Sequence, residues 1–329
     1  MVFREKIKLI LIFVLLSFTI GNAGGFKKYA GEFISAGVGS RALAMGGAYV
    51  AVANDVTAGY WNPAGLMDSP GLQIQFMHAK QFFSSIQYDY LGISKPYDEE
   101  ATIALSIIRW GINDIKDTRY ALIGTHISEG LDYSKVTSFN IADYVFYISY
   151  ARNYSESLSL GANVKIIYRD FASENAMGIG FDAGLKYKYS SQLVFGLMVR
   201  DITTTMMAWS TNEKEFITPS IRPGVSYRFN FDAIDLYVQP SVDLGILLES
   251  RNKSAQLGAG VISIDSFWGM EAGFKNICFL RLGYDDLSRF NAGLGVSINK
   301  FAVDYSYTNF DNVLGNVHRI SFHLKLNSN

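Results

Sequence analysis

The sequence between Leu72 and Leu326 consists of segments of about ten residues in which apolar and polar side chains alternate. One such segment alternates Ile179, Phe181, Ala183, Leu185 and Tyr187 with Gly180, Asp182, Gly184, Lys186 and Lys188. Successive residues of a β-strand point to opposite faces, so each segment presents one apolar face and one polar face. The alternation therefore predicts an all-β protein with a long series of strands.

The composition decides how these strands are arranged. Hydrophobic residues make up 49% of the chain and aromatic residues 14%, yet no apolar stretch after the N-terminus approaches the roughly 20 residues of a membrane-spanning helix. The polar faces are mostly Gly, Ser and Asn, which suits a crowded lumen better than the wet face of a soluble β-sandwich, the alternative. We therefore predict a closed antiparallel transmembrane β-barrel, because lipid cannot satisfy an open sheet edge.

The strand count follows from the connections. Candidate strands lie near 71–79, 85–95, 101–110, 138–152, 157–169, 176–189, 191–201, 218–230, 234–247, 254–264, 266–275, 277–285, 290–299, 300–309 and 317–327. This count is odd, whereas bacterial single-chain barrels have even numbers of strands. The alternation of long and short connections breaks between residues 248 and 276, so we predict fourteen strands, with 254–264 and 266–275 supplying one spanning strand and a short extra piece. Sixteen is the alternative, with a further strand hidden in 111–137.

The N-terminus has the layout of a secretory signal peptide, predicted at residues 1–23. A basic start precedes an apolar core from Leu9 to Ile20, and Gly21-Asn22-Ala23 offers a small-residue cleavage site. The single cysteine, Cys278, excludes a disulfide within one chain. The predicted location is therefore the outer membrane of a diderm bacterium, where outer-membrane lipid surrounds the barrel.

Residues 24–70 lack the alternation and are rich in glycine and alanine. Small residues let one backbone approach another closely. We interpret this stretch as a plug, or hatch, inside a barrel formed by residues 71–329. The candidate plug residues are Gly37, Gly39, Arg41, Met45, Gly46, Gly47, Asn54, Asp55, Asn62, Pro63 and Gly65.

The same stretch carries a resemblance to a known family. The ordered run Gly37-x-Gly39-x-Arg41-Ala42-Leu43-x-Met45-Gly46-Gly47-Ala48, followed by Asn54-Asp55 and Trp61-Asn62-Pro63-Ala64-Gly65, resembles the N-terminal hatch of the PorV/PorQ family of outer-membrane proteins. These are relatives of the FadL-type transporters of hydrophobic compounds. The PorV/PorQ resemblance implies a part in type IX protein secretion or envelope assembly, with cargo or partner proteins bound at the outer loops. The FadL relationship implies the alternative, uptake of hydrophobic small molecules.

Charged residues on the polar faces are predicted to turn into the lumen. They are Lys165, Asp182, Arg200, Arg228, Asp243, Glu271, Arg281, Asp304 and Arg319, with Arg169, Lys186 and Arg222 beside them. Unpaired buried charge is costly, so these groups should pair with one another or with the plug. They form either a ladder that holds the plug, which we favour, or a substrate path. Lys165 is predicted to pair with Asp182.

Two long connections, 111–137 and 202–217, are predicted to lie outside the membrane. Their apolar residues are candidates for contact with a protein partner or an apolar compound. These candidates are Ile127, Leu131, Met206, Met207, Trp209 and Phe216. Secretion and uptake would both use such residues, and the sequence does not choose between them.

Other function classes lack support. The chain has 29 basic and 30 acidic residues and so lacks the basic face that nucleic-acid binding requires. Its four histidines show no metal-ligand spacing, and no Gly-x-Ser-x-Gly turn marks a hydrolase. We expect no enzymatic activity, no cofactor and no metal.

Overall fold

The structure, a computed structural model, describes residues 31–81, 85–123, 130–249, 251, 255–310 and 315–326. The predicted signal at 1–23, the start of the predicted plug at 24–30, and Ile127 lie outside the described residues. Helices in the described ranges are short: two α-helices, Ser40–Ala44 and Ala58–Trp61, and the 3₁₀-helices Glu32–Ala36, Pro63–Asp68, Tyr133–Lys135 and Asp232–Ile234. None of these helices has the length and apolar character needed to cross a membrane.

The strands of the described ranges form one antiparallel sheet. They are β1 (Leu72–Gln81), β2 (Ile86–Pro96), β3 (Ala101–Asp117), β4 (Thr137–Asn153), β5 (Leu158–Phe171), β6 (Glu174–Lys188), β7 (Leu193–Arg200), β8 (Thr205–Trp209), β9 (Lys214–Ile217), β10 (Ser220–Tyr227), β11 (Phe229–Phe231), β12 (Leu236–Leu247), β13 (Leu257–Ala259), β14 (Ile262–Phe274), β15 (Cys278–Tyr284), β16 (Phe290–Ile298), β17 (Phe301–Thr308) and β18 (Val317–Leu326).

The sheet closes on itself through its first strand. β1 pairs with β2, Gln73 opposite Ser94, and also with β18, where Leu72 lies opposite Leu326. Among the described residues fourteen strands form the wall, namely β1 to β7, β10, β12 and β14 to β18. The predicted closed antiparallel barrel and its count of fourteen strands are confirmed.

The short strands explain the odd count in the sequence. β13 pairs with Ile262–Ile264 at the start of β14, and is the short extra piece predicted beside the spanning strand. The described part of the connection between β3 and β4 holds a single bridge, Leu122 to Leu131. The alternative of sixteen strands, with a further strand in 111–137, therefore finds no support in the described residues.

The segment 202–217, which we predicted as a long connection, is largely strand. It contains the hairpin of β8 and β9, and β8 pairs with β6 at 176–179, beyond the point where β7 leaves it. The chain keeps its direction from β7 to β8, since both strands run antiparallel to β6. In the short link between them, Asp201 and Thr204 have positive φ values of 54° and 59°. Two adjacent apolar residues, Met206 and Met207, interrupt the apolar/polar alternation of β8. The sequence pattern therefore did not predict this strand.

The two faces of the wall differ as the alternation requires. On β4 the outward side chains of Phe146, Ile148 and Tyr150 are 42% to 53% exposed, while inward Tyr147 and Ser149 are buried. A soluble sandwich would cover such an apolar row with a second sheet. Here the row faces outward from one closed sheet, so the sandwich alternative is wrong.

The N-terminal segment, residues 31–69, touches the wall on many sides. The Ser40 amide donates to Ser321 on β18, and the Tyr49 amide to Asp243 on β12. The Asn62 side chain donates to a carbonyl of β6, and Tyr88 of β2 donates to the Gly37 carbonyl. Strands so far apart in the sheet order can all be reached only from inside the closed wall.

Glycines on the inward face make room for this segment. A Cβ built on Gly161, Gly184, Gly196, Gly269 or Gly283 would lie 2.2 to 2.6 Å from atoms of residues 45–64. Real Cβ atoms do not come so close, so these positions exclude any side chain while the segment stays in place. The glycine-rich polar faces of the sequence thus reflect the backbone packed against them.

We expect Gly283→Val to destabilise the protein by about 1–3 kcal/mol, the usual effect of overpacking. The reason is that a Cβ at this position would lie 2.2 Å from the Met45 carbonyl carbon. The free energy of unfolding in urea, measured in lipid vesicles, tests this expectation. Leu282→Val on the outward face is the control, and equal losses in both variants would contradict the packing described.

Candidate functional site

An ionic network ties the N-terminal segment to β14, β15 and β17. Arg41 Nε lies 2.7 Å from Glu271 Oε2, and Arg281 Nε lies 2.6 Å from the same oxygen. Arg281 continues to Asp304 at 2.6 Å, while Arg41 also donates to Asn54 within the segment at 2.6 Å. The Glu271 side chain has no exposed surface. Its charge is therefore balanced by two guanidinium groups rather than by water.

A second anchor lies on β12. Asp243 accepts hydrogen bonds from the backbone amides of Tyr49 and Val50, at 2.9 and 3.0 Å. Arg222 Nε on β10 lies 3.3 Å from the same carboxylate oxygen. One wall carboxylate thus satisfies two amide groups of a turn that would otherwise be buried without partners.

The predicted pair of Lys165 and Asp182 is present. Lys165 Nζ lies 2.9 Å from Asp182 Oδ1 and 2.8 Å from Asp201 Oδ1, and all three side chains are buried. Asp201 lies in the short link between β7 and β8, so its contact with Lys165 holds this link against β5 and β6. Among the described residues, no three His, Cys, Asp or Glu side chains are placed to hold a metal ion.

Lysines of β6 hold the C-terminal end of the segment, around Asp68. Asp68 contacts Lys186 Nζ at 2.9 Å and also pairs with Lys188, while Lys186 donates to the Ala53 carbonyl at 2.6 Å. Burial would raise the pKa of the Asp68 carboxyl, but the two ammonium groups outweigh it and hold that pKa below its ordinary value. Asp68 therefore stays charged at neutral pH.

The remaining predicted lumen charges also turn inward, but they do not form one cluster. Arg200 lies over the Tyr60 ring, with its guanidinium carbon 4.4 Å from the ring centre. Arg228 donates to Gln239, and Arg319 donates to Thr308. The structure thus distributes the nine predicted residues over separate contacts around the wall.

The predicted plug residues have local roles as well as wall contacts. Gly37, Gly39, Gly46 and Gly47 all have positive φ values, between 62° and 82°, which favour glycine. Asn62 accepts from the Ala64 amide at 3.2 Å and so caps the 3₁₀-helix that Pro63 begins. Asp55 accepts from Tyr49 and Thr57. Met45 and Gly65 are buried against backbone atoms of β15 and of Ala53.

Part of the lumen is apolar rather than polar. We call this part the apolar chamber, and it lies toward the long-connection end of the barrel, the end that carries the connection 118–136 and the hairpin turn 210–213 between β8 and β9. Its wall residues and the segment residues packed with them are Ile108, Trp110, Val145, Ile167, Met207, Trp209, Phe33 and Ile34. The chain's own Phe33 and Ile34 therefore occupy a hydrophobic space inside the wall.

One arginine crosses the apolar chamber. The guanidinium carbon of Arg169 lies 5.1 Å from the ring centre of Phe33 and 5.4 Å from that of Trp209, while its Nε lies 2.6 Å from Asp143. Trp209 Nε1 is buried without a hydrogen-bond partner among the described residues, whereas Glu215 Oε2 lies 3.7 Å from Arg169 Nη1. The chamber can thus offer aromatic surface and one donor to a molecule inside it.

The apolar residues predicted to form an outer binding surface lie on both sides of the barrel wall. Their predicted position was therefore wrong for those that turn inward. Met207 is 1% exposed and Trp209 lies in the chamber, because β8 turns alternate side chains inward. Met206 is 43% exposed on the outward face, opposite Phe216 of β9. Leu131 remains on the connection after β3, where it pairs with Leu122. These residues do not form one outer surface.

Sequence reasoning missed the apolar chamber, although the sequence carries a signal for it. Adjacent apolar pairs interrupt the alternation at Ile107-Ile108, Val145-Phe146, Ile166-Ile167 and Met206-Met207. In each pair one member faces outward and the other is buried inside the wall. An apolar pair within an alternating strand therefore marks an inward apolar position.

Comparison with known proteins agrees with this architecture. No family model and no curated protein matches the sequence. Among solved structures, the toluene transporter TbuX of Ralstonia pickettii aligns with a TM-score of 0.55 at 12% identity, over 88% of this chain and 98% of that chain. The toluene transporter TodX of P. putida gives 0.56 at 11% identity, over 89% and 99%. A FadL homologue of Pseudomonas aeruginosa gives 0.51 at 12% identity, over 92% and 98%.

This chain has the fold of FadL-like barrels. Identities near 12% establish the shared fold alone. The PorV/PorQ resemblance is a finer statement that these neighbours do not address.

We expect Glu271→Gln to lower the free energy of unfolding by about 3–5 kcal/mol, since it leaves two buried arginines without their shared carboxylate. The matched control is Glu100→Gln, which removes an exposed ion pair with Arg152. Exposed pairs contribute about 0–1 kcal/mol. Urea unfolding in lipid vesicles measures both variants, and a loss for Glu271→Gln no larger than that of the control would refute the role of the network.

Proposed function

We propose that the protein is an outer-membrane channel for small apolar molecules, in which the N-terminal segment closes the lumen and shifts for passage. The observation that carries this proposal is the apolar chamber at the long-connection end. A lumen built only to hold a segment in place needs no such patch, because water and polar contacts fill barrel interiors elsewhere. The structural neighbours support the same function, since two are named toluene transporters and another, CymD, a monoaromatic hydrocarbon channel.

The chamber suits an apolar guest. Phe33 and Ile34 fill it with side chains that are each 8% exposed. A small apolar molecule would replace these side chains at little cost, because burial of apolar surface stabilises by about 25 cal/mol per Å² whichever molecule supplies it. The guest would then lie against Met207, Ile167 and the Trp209 ring.

Passage beyond the chamber requires the segment to move. Residues 31–69 are held by Asp243, by Glu271 and by the hydroxyl pair of Ser40 and Ser321, whose oxygens are 2.9 Å apart. These contacts are polar and local, so they can break in part while the closed wall stays intact. The predicted signal and the outward apolar belt support the outer membrane as the site of action.

A second candidate function is the binding of partner or cargo proteins in secretion, as the PorV/PorQ resemblance implies. The connection between β3 and β4 favours it, because Tyr120 and Tyr133 are 78% and 82% exposed at the long-connection end. Exposed tyrosines are common anchors of protein interfaces. Crosslinking in whole cells tests this candidate: Tyr120→Ser/Tyr133→Ser should lose a crosslinked protein that Tyr97→Ser, at the opposite end, retains.

A disulfide between the segment and the wall tests the uptake proposal. We expect Ser40→Cys/Ser321→Cys, in a Cys278→Ser background, to form a disulfide under oxidation and to lose most uptake of radiolabelled toluene by whole cells. A reductant should restore the uptake, since the segment can move again. Each single cysteine variant is the control for the substitutions themselves. Equal uptake by the oxidised and reduced double variant, or by cells with and without the protein, would contradict the proposal.

A further inference from the structure

The lipid-facing side of the wall carries a polar cluster where an apolar belt is expected. His78 of β1, Asp89 of β2 and Arg109 of β3 lie opposite one another in register and point outward. His78 Nδ1 lies 2.7 Å from Asp89 Oδ1, and Arg109 lies 3.5 Å from Asp89 Oδ2. On the same face, one position farther from the long-connection end, are the exposed side chains of Phe76 and Leu91.

Two more basic groups extend this cluster. Lys80 is exposed next to His78 on β1 and pairs in register with His318 of β18, whose Nδ1 lies 2.6 Å from the Tyr305 hydroxyl. Directly opposite residues have Cβ atoms about 4.5–5.5 Å apart. Lys80 forms no ion pair with any described residue. We call Lys80, His78, Asp89, Arg109 and His318 the rim cluster.

The charges of the rim cluster do not cancel. Asp89 is its one carboxylate, and both His78 and Arg109 already contact it. Arg109 makes its other contacts at 3.3 Å with the neutral amides of Gln87 and Asn113. The cluster therefore keeps a net positive charge with donors free on Lys80 and Arg109.

Aromatic residues flank the rim cluster on both sides. Tyr144 of β4 lies opposite Arg109 and stacks on Tyr168, with ring centres 6.4 Å apart. On the other side the His318 ring lies 5.5 Å from the ring of Tyr307. Outward aromatic girdles mark the level of lipid headgroups in barrels. The rim cluster thus occupies a gap in the girdle, at headgroup depth.

We propose that the rim cluster binds the phosphate of a lipid headgroup at the long-connection end of the barrel. Arginine and lysine are the residues that bind phosphate, the first through its fork of N–H donors and the second as a point charge. The acyl chains of the same lipid would lie over Phe76, Leu91 and Ile107, which continue the outward rows below. This site is independent of the lumen and of any transported molecule.

Native mass spectrometry of the detergent-solubilised full chain with added phosphatidic acid tests this proposal. We expect one tightly bound lipid, and Lys80→Gln/Arg109→Gln should weaken its binding by about thirtyfold, as expected when two interfacial cations are removed. The matched control is Lys95→Gln/Lys275→Gln, which removes the same charge from exposed positions at the opposite end. It should leave the affinity unchanged.

The other outcomes overturn the proposal. Equal weakening in both double variants would show unspecific attraction to the net charge, and unchanged binding in both would show that the rim cluster holds no lipid. Displacement of the lipid by millimolar inorganic phosphate alone would identify a free anion as the ligand. Heat-modifiable migration on gels verifies that each variant remains a folded barrel, so that a folding defect is not mistaken for lost binding.

Discussion

The pairing of β1 with β18 is the contact on which the rest of the structure depends. In hydrocarbon every backbone N–H and C=O must find a partner within the protein, and a sheet does so only when it has no edge. Closure also separates the side chains into an outward and an inward set, since successive residues alternate. The apolar rows around Phe146 and the polar rows around Lys165 are two consequences of that one pairing.

The charged side chains inside the closed wall need partners. Charges such as Glu271 and Asp243 are buried at 0% exposure and would be costly without partners. The N-terminal segment supplies Arg41 to the first and two backbone amides to the second. The segment and the wall therefore satisfy each other, and inward glycines such as Gly283 give the room for this contact.

Two departures from the apolar-out, polar-in rule carry the functional inferences. Inside, the apolar chamber around Phe33 and Met207 breaks the polar lining and suits an apolar guest. Outside, the rim cluster around Arg109 breaks the apolar belt and suits a phosphate group. Each departure places chemistry where the stability of the barrel alone does not require it.

The sequence by itself determined the barrel and the direction in which Lys165 or Phe181 points, because strand periodicity is a local property. It favoured fourteen strands over sixteen, and the structure decided that count. The folded structure alone decided which groups meet, since Arg41 and Glu271 are 230 residues apart in sequence. It also turned Met207 inward and Met206 outward, although sequence pattern treats the two methionines alike. An apolar pair shows in the sequence that one of its members turns inward, but which one does so depends on strand register and on where β8 replaces β7 beside β6.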